Sequence, residues 1–209
     1  MTATKIWAVC GLLYACFFSW YTSFGGPLTA VEIEGYLDAM EARTPPAPSE
    51  TVALLRRFLE EDTGDDFVMV NVIEMYDTPL QVEGVEVGES SAEVLDKYMS
   101  YMYPALFSRA SHPVLSGTAA NTAMDIMNAP GMSRWTAGAG MRYRSRRDLM
   151  DITLNPAFRG SHDFKIAAMA KTIAFPIDPW FQLGDPRLVL GLLLGFICAL
   201  LSWLTARRG

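Results

Sequence analysis

Five polar side chains stand where chemistry can be done: Asn71, Glu74, Arg142, Tyr143 and His162. Asn71 and Glu74 interrupt FVMVNVIEMY (67–76), a run otherwise built of apolar and aromatic side chains. A primary amide in such a run needs hydrogen-bond partners, which a ligand or the neighbouring backbone supplies. Arg142 offers the planar fork that grips a carboxylate, from a ligand or from the chain's own acidic excess. Alternation puts Arg142 and Arg144 on one strand face and Tyr143 on the other. The run from Arg142 to Arg147 holds four arginines, a pattern that contacts anionic lipid or forms a solvated face. His162 opens a helix in Gly-Ser-His-Asp, with the chemistry of a general base or a haem ligand; a surface or capping histidine is the ordinary role. His112 is the other histidine, and no spacing joins either one to Asp or Glu as metal ligands.

The wider inventory narrows the function classes. No GxSxG, phosphate loop or dinucleotide fingerprint is present, so no cofactor is expected from motifs. Cys10, Cys16 and Cys198 all fall in apolar stretches, which leaves no disulfide framework or thiolate metal site between them. All 23 acidic residues lie between Glu32 and Asp185, against thirteen of the 17 basic ones. An acidic middle gives no reason to expect nucleic acid, because phosphate binding needs an excess of clustered Lys and Arg.

Capping and periodicity define the elements that position these residues. Thr29 with Glu32 forms a capping box for a helix to about Arg43, and Thr44-Pro-Pro-Ala-Pro48 ends it. Ser49 caps a second helix with Val52, Leu55, Phe58 and Leu59 on one face. Residues 67–76 read as a buried strand and 77–89 as a loop. Ser90 or Ser91 caps a helix through about Ser108. His112 to Thr118 is a short strand and Trp135 to Arg144 a third. Ser145, with Asp148 three residues on, caps a helix that Asn155-Pro156 interrupts and that resumes to about Lys171. Thr172 to Ile177 is a fourth strand. The order βαββαβ is the α+β, ferredoxin-like arrangement.

The two ends of the chain differ in kind from its middle. No charged residue lies between Ile6 and Val31, nor between Leu188 and Ala206. The second stretch, as a helix, spans about 28 Å and matches a hydrocarbon core of roughly 30 Å. The first is long enough to span, with Trp20, Tyr21 and Phe24 as an aromatic belt; its rival reading is a cleaved signal peptide, with Lys5 as n-region and Leu28-Thr29-Ala30 as cleavage site. Lys5 before the first stretch, and Arg207 and Arg208 after the second, predict cytoplasmic termini and an extracytoplasmic middle, as in a multi-pass inner-membrane protein. Gly11, Ala15 and Ser19, and likewise Gly191, Gly195 and Ala199, form small-residue ridges that let helices approach. The expected organisation is a transmembrane helix or signal peptide at 6–25, a helical pair at 29–63, the ferredoxin-like domain at 66–178 and a transmembrane helix at 187–206.

Residues 67–178 resemble an uncharacterised family of the dimeric α/β-barrel superfamily. The strand VMVNVIEMY carries part of the likeness, and the helix AEVLDKYMSYMYPALF another. The third part joins Trp135, Arg142-Tyr143 with Ser145, Asp151, Asn155-Pro156 and the helix HDFKIAAMAKT. The family carries Asp after the tryptophan where this chain has Thr136, and its members are mostly soluble. The resemblance implies two subunits whose sheets pack face to face as a homodimer. Superfamily members include monooxygenases, isomerases and haem enzymes. Two functions follow as expectations: a membrane-anchored binding or interaction module, as a subunit of a larger membrane assembly, or a small-molecule enzyme of monooxygenase or isomerase type. Any pocket is expected between sheet and sheet, beside Asn71, Glu74 or Arg142. The competing expectation is that the helices from Thr29 to Asp62 fold over the open sheet face.

Overall fold

The structure is a computed structural model that describes residues 2–43 and 46–207, so Thr44, Pro45 and Arg208 lie outside the described residues. Its elements are α1 (Ala3–Tyr21), α2 (Ala30–Glu41), α3 (Ser49–Glu60), β1 (Phe67–Met75), α4 (Ser91–Phe107), β2 (His112–Thr118), β3 (Ala137–Tyr143), α5 (Arg146–Leu154), α6 (Pro156–Ala168), β4 (Met169–Ile177) and α7 (Pro186–Ala206). They form two units, one of residues 24–178 and one that joins the segments before Phe24 and after Asp178.

In the larger unit the helix starts are set by side chains that satisfy otherwise orphaned N–H groups. Complete capping boxes open α2 (Thr29 with Glu32) and α4 (Ser90 with Glu93). Ser145 accepts from the Asp148 N–H at α5. At α3 the capping position is Pro48, and Ser49 is the first helical residue without a side-chain cap. Asn155 is extended because the following proline disfavours helical backbone there, and Pro156 then starts α6. The α6 helix ends at Ala168, earlier than its helix-forming sequence predicts. The Ala167 and Ala168 carbonyls accept from Leu80 and Tyr76, and the chain passes straight into β4. Tertiary hydrogen bonding overrides local propensity here.

The four strands form one antiparallel sheet in the order β2-β3-β1-β4. With α4 and the broken α5–α6 helix on one face, this is the ferredoxin-like βαββαβ topology. The covered face carries Phe67, Met69, Met141 and Tyr143, which meet Tyr98, Met102 and Leu106 of α4 and Ile152 of α5. Helices α2 and α3 pack through Ile33, Leu37, Met40 and Leu59 on Met150 of α5. They therefore extend the helical layer and leave the other sheet face open.

That N-terminal pair is locked on by Asp62. Its carboxylate accepts from the Leu28 N–H at 2.8 Å and the Gly64 N–H at 3.1 Å, and it pairs with Arg146 at 3.3 Å. Gly64 has φ +85°, and a Cβ there would stand 2.5 Å from the Gly26 carbonyl carbon. Only glycine fits a left-handed position under so close a strand of backbone.

In the smaller unit α1 and α7 run antiparallel against each other. The Tyr14 hydroxyl donates to the Arg187 carbonyl at 3.2 Å, and the Cys198 thiol lies 3.9 Å from the Ile6 carbonyl. Both helices are long and apolar enough to cross a membrane. Of the three ridge glycines, Gly191 is the one at close approach, with the Tyr14 ring 3.3 Å from where its Cβ would be. A side chain at Gly11 or Gly195 would meet nothing.

Candidate functional site

The open sheet face is organised in rows, because paired residues of neighbouring strands share a face. His112, Arg142, Val68 and Ile177 form the first row; Leu115, Gly140, Val70 and Phe175 the second; Gly117, Gly138, Val72 and Ile173 the third. Glu74 and Lys171 close the fourth. The middle rows have two unlike halves. On β1 and β4 the residues are bulky, and Phe175, Ile173 and Ile177 are 45%, 41% and 40% exposed. On β2 and β3, Gly117 and Gly138 leave a trough: a Cβ on Gly117 would meet nothing and one on Gly138 only the Asn71 carbonyl at 3.9 Å, whereas at Gly140 the Val114 and Val68 side chains already stand 3.2 Å from where a Cβ would be. Leu115, 69% exposed, borders that trough.

Ion pairs close both ends of this apolar field. Glu74, nearly buried, binds Lys171 at 2.9 Å and Arg134 at 3.2 Å, and Arg134 also reaches Asp77. Lys171 lies over the Trp135 ring at 4.6 Å and donates to the Gly131 carbonyl. Thr136 accepts from the Met75 N–H at 2.9 Å, so the residue after the tryptophan ties β1 to the strand beside it. At the other end Arg142 is fully buried. It donates to Asp66 at 2.7 Å and to the Ala110 carbonyl at 2.7 Å, the latter turned inward by a left-handed Ala110 (φ 52°).

Asn71 lies on the covered face between Ala139 and Ala174, so it and Glu74 face opposite ways. Its amide donates to the Met69 carbonyl at 3.0 Å. A pocket between two sheets therefore reaches Glu74 but not Asn71, and the parity of β1 alone decides this. Tyr143 also faces the helices and stacks on Phe67 at 5.4 Å. Burial pushes its phenol far above the ordinary range. The remaining arginines of the 142–147 run turn inward as well. Arg144 grips Asp148 with two nitrogens at 2.9 and 2.8 Å, Arg146 pairs with Asp62 and lies over Phe58, and Arg147 pairs with Glu32 at 2.6 Å. Neither a solvated face nor a lipid-facing one results.

His162 lies away from the sheet, on α6, with its ring 6.3 Å from both Tyr98 and Phe158. Desolvation by these rings, then the charge of Lys165, lowers its pKa. Burial likewise lowers Lys165, whose ammonium is 5.9 Å from the Tyr98 ring, and raises Tyr98 to about 12. This cluster shares no residue with the open face, so the structure divides the five sequence candidates among three places.

Comparison with solved structures agrees with this topology. The crystal structure of methylated RPA0582 is similar with a TM-score of 0.53 and 17% identity, covering 66% of this chain and 96% of that one. A second structure of RPA0582, a protein of unknown function from Rhodopseudomonas palustris, gives a TM-score of 0.52 at 15% identity, over 65% and 96%. The likeness is one of fold. No family model matches the chain, and no curated protein matches it.

The surface feature that sequence reasoning missed is the glycine trough. Its signal was present as Gly117 and Gly138, but only the β2–β3 register brings them side by side.

Proposed function

We propose that the chain is a membrane-anchored interaction module whose first partner is a second copy of itself. The observation that carries this reading is the shape of the open sheet face. A two-fold axis through that face would lay the bulky β1–β4 half of one copy into the glycine trough of the other, and the reverse. An isologous contact needs such self-complementarity. Packing the exposed Phe175, Ile173, Ile177 and Leu115 side chains against a partner removes the apolar patch from water. The dimeric α/β-barrel resemblance supports the same arrangement.

Helices α1 and α7 serve as the anchor, each crossing the bilayer once. Arg187 and Arg207 are 20 residues apart, about 30 Å along a helix and the thickness of a hydrocarbon core. Each guanidinium sits against an interfacial aromatic ring, Arg187 at 5.4 Å from Tyr21 and Arg207 at 3.9 Å from Trp203. The contact between α1 and α7 favours an uncleaved first span. Basic residues at the chain-terminal ends of both spans support an orientation with the termini in the cytoplasm and residues 24–178 outside it. A larger membrane assembly would be built on this dimer.

The full chain in density-matched detergent should sediment as a dimer at tens of micromolar, and Gly138→Leu should convert it to a monomer with unchanged circular dichroism. A wild-type monomer would overturn the reading. For topology, a reporter active only in the cytoplasm should work after Arg207 and fail at Gly88.

A further inference from the structure

Seven arginines of the larger unit lie within 3.3 Å of a carboxylate oxygen. Arg109 has a different environment. It stands just past the end of α4, half-buried. Its Nη1 donates to the Ala105 carbonyl at 3.2 Å and to Ser108 Oγ at 3.4 Å, both long contacts. Among the described residues its Nε and Nη2 meet no acceptor. In a domain with so large an acidic excess, a guanidinium without a carboxylate is a vacancy in the pattern.

Arg109 lines an open pocket of about 310 Å³ between the C-terminal half of α4 and the α5–α6 junction. Tyr101, Ala105 and Ser108 reach it from one face of α4, since i, i+4 and i+7 share a helix face. Ile152, 2% exposed, and Phe158 supply an apolar floor. Asn155, held extended by Pro156, adds a polar group at the break between the two helices. The cavity belongs to the helical layer and shares no residue with the open sheet face.

We propose that this cavity binds a small apolar monocarboxylate, of the aryl-alkanoate class, with Arg109 as the anchor. The guanidinium fork matches a carboxylate with two parallel donors, and its Nε–Nη2 edge is the one left free. The apolar floor selects a ring or branched chain over a hydrophilic acid. The volume lies at the small end of the roughly 300–1,000 Å³ range of ligand sites, which suits one ring. The surrounding acidic domain disfavours multiply charged anions such as phosphates and tolerates a single charge.

The test uses the full chain in zwitterionic nanodiscs and fluorine NMR of para-fluorophenylpropanoate, with empty nanodiscs to remove partition into lipid. Saturable broadening is expected. The uncharged para-fluorophenylpropanol should bind at least tenfold more weakly, and Arg109→Gln should lower affinity for the acid at least tenfold. Arg57→Gln, at an exposed arginine that pairs with Glu61, should leave it unchanged. Absence of saturable binding, equal binding of acid and alcohol, or an unaltered Arg109→Gln variant would each overturn the proposal.

Discussion

The two faces of the sheet are built from the same strands and meet opposite fates. On the covered face Phe67 is 2% exposed, stacked on Tyr143 and edge-on to Phe58. On the open face Phe175 is 45% exposed and lies two strands from the glycines. Covered apolar area is already spent on folding this chain, whereas open apolar area remains for association. Charges follow a third pattern. At the ends of the open face and along the 142–147 run they close on one another inside the chain. What the open face leaves unmet is therefore apolar, and this is why a second sheet face, and not a charged ligand, is the partner proposed for that face.

Truncating the same residue type on each face sharpens the comparison most. Phe67→Ala should cost about 3–5 kcal/mol of folding stability, the usual penalty for emptying a packed aromatic site. Phe175→Ala should change the stability of the monomer by less than about 1 kcal/mol but raise the dimer dissociation constant at least tenfold. Urea unfolding and sedimentation of the two full-length variants separate the effects. Equal folding penalties for both would mean that the open face is covered within one chain.

The closed charges allow a second break of comparable size. Asp62→Ala would strand the nearly buried Arg146 and free the Leu28 N–H, at about 3–5 kcal/mol. Gly64→Ala should also destabilise, through about 1–2 kcal/mol of left-handed backbone and about 1–3 of forced contact with Gly26. Both should loosen α2 and α3 first, visible as faster amide exchange at Leu37 than at Val70. Uniform exchange across both regions would show that the N-terminal pair is not held by this hub.

Much of the fold was legible because its signals are local. Capping residues, the Asn155-Pro156 break and the β-branched runs each act within a few residues, and βαββαβ follows from their order. The end of α6 was not legible, because carbonyl partners at Tyr76 and Leu80 come from a distant loop. The candidate residues were harder still. A strand run shows that Asn71 and Glu74 alternate, but which parity faces the helices depends on what α4 and α5 bring to Phe67 and Met69. Likewise the run from Arg142 to Arg147 shows charge without its partners: Asp66, Asp62 and Glu32 lie 76, 84 and 115 positions earlier. The Arg109 cavity joins two segments that no spacing rule connects.

The smallest expected effect concerns the most exposed of these tertiary pairs, Glu32 with Arg147. Hydrogen bonds from Arg147, then those from the Thr29 backbone and hydroxyl, lower the Glu32 pKa from 4.5 to about 2. The unfolded chain takes up this proton near the ordinary value, while the folded chain resists it until about pH 2. Stability from the pair is therefore present in full above about pH 4.5 and is lost as pH falls through the folded value. Both side chains are partly solvated, 34% and 24% exposed, so screening limits the contribution to about 1 kcal/mol or less. Glu32→Gln should lower the thermal midpoint slightly at pH 6, and the gap to wild type should narrow as the pH is taken from 4.5 towards 2. It should also narrow in high salt at pH 6. A gap that stayed constant across this acid range would assign the role of Glu32 to hydrogen bonds that glutamine fails to reproduce, and not to its charge.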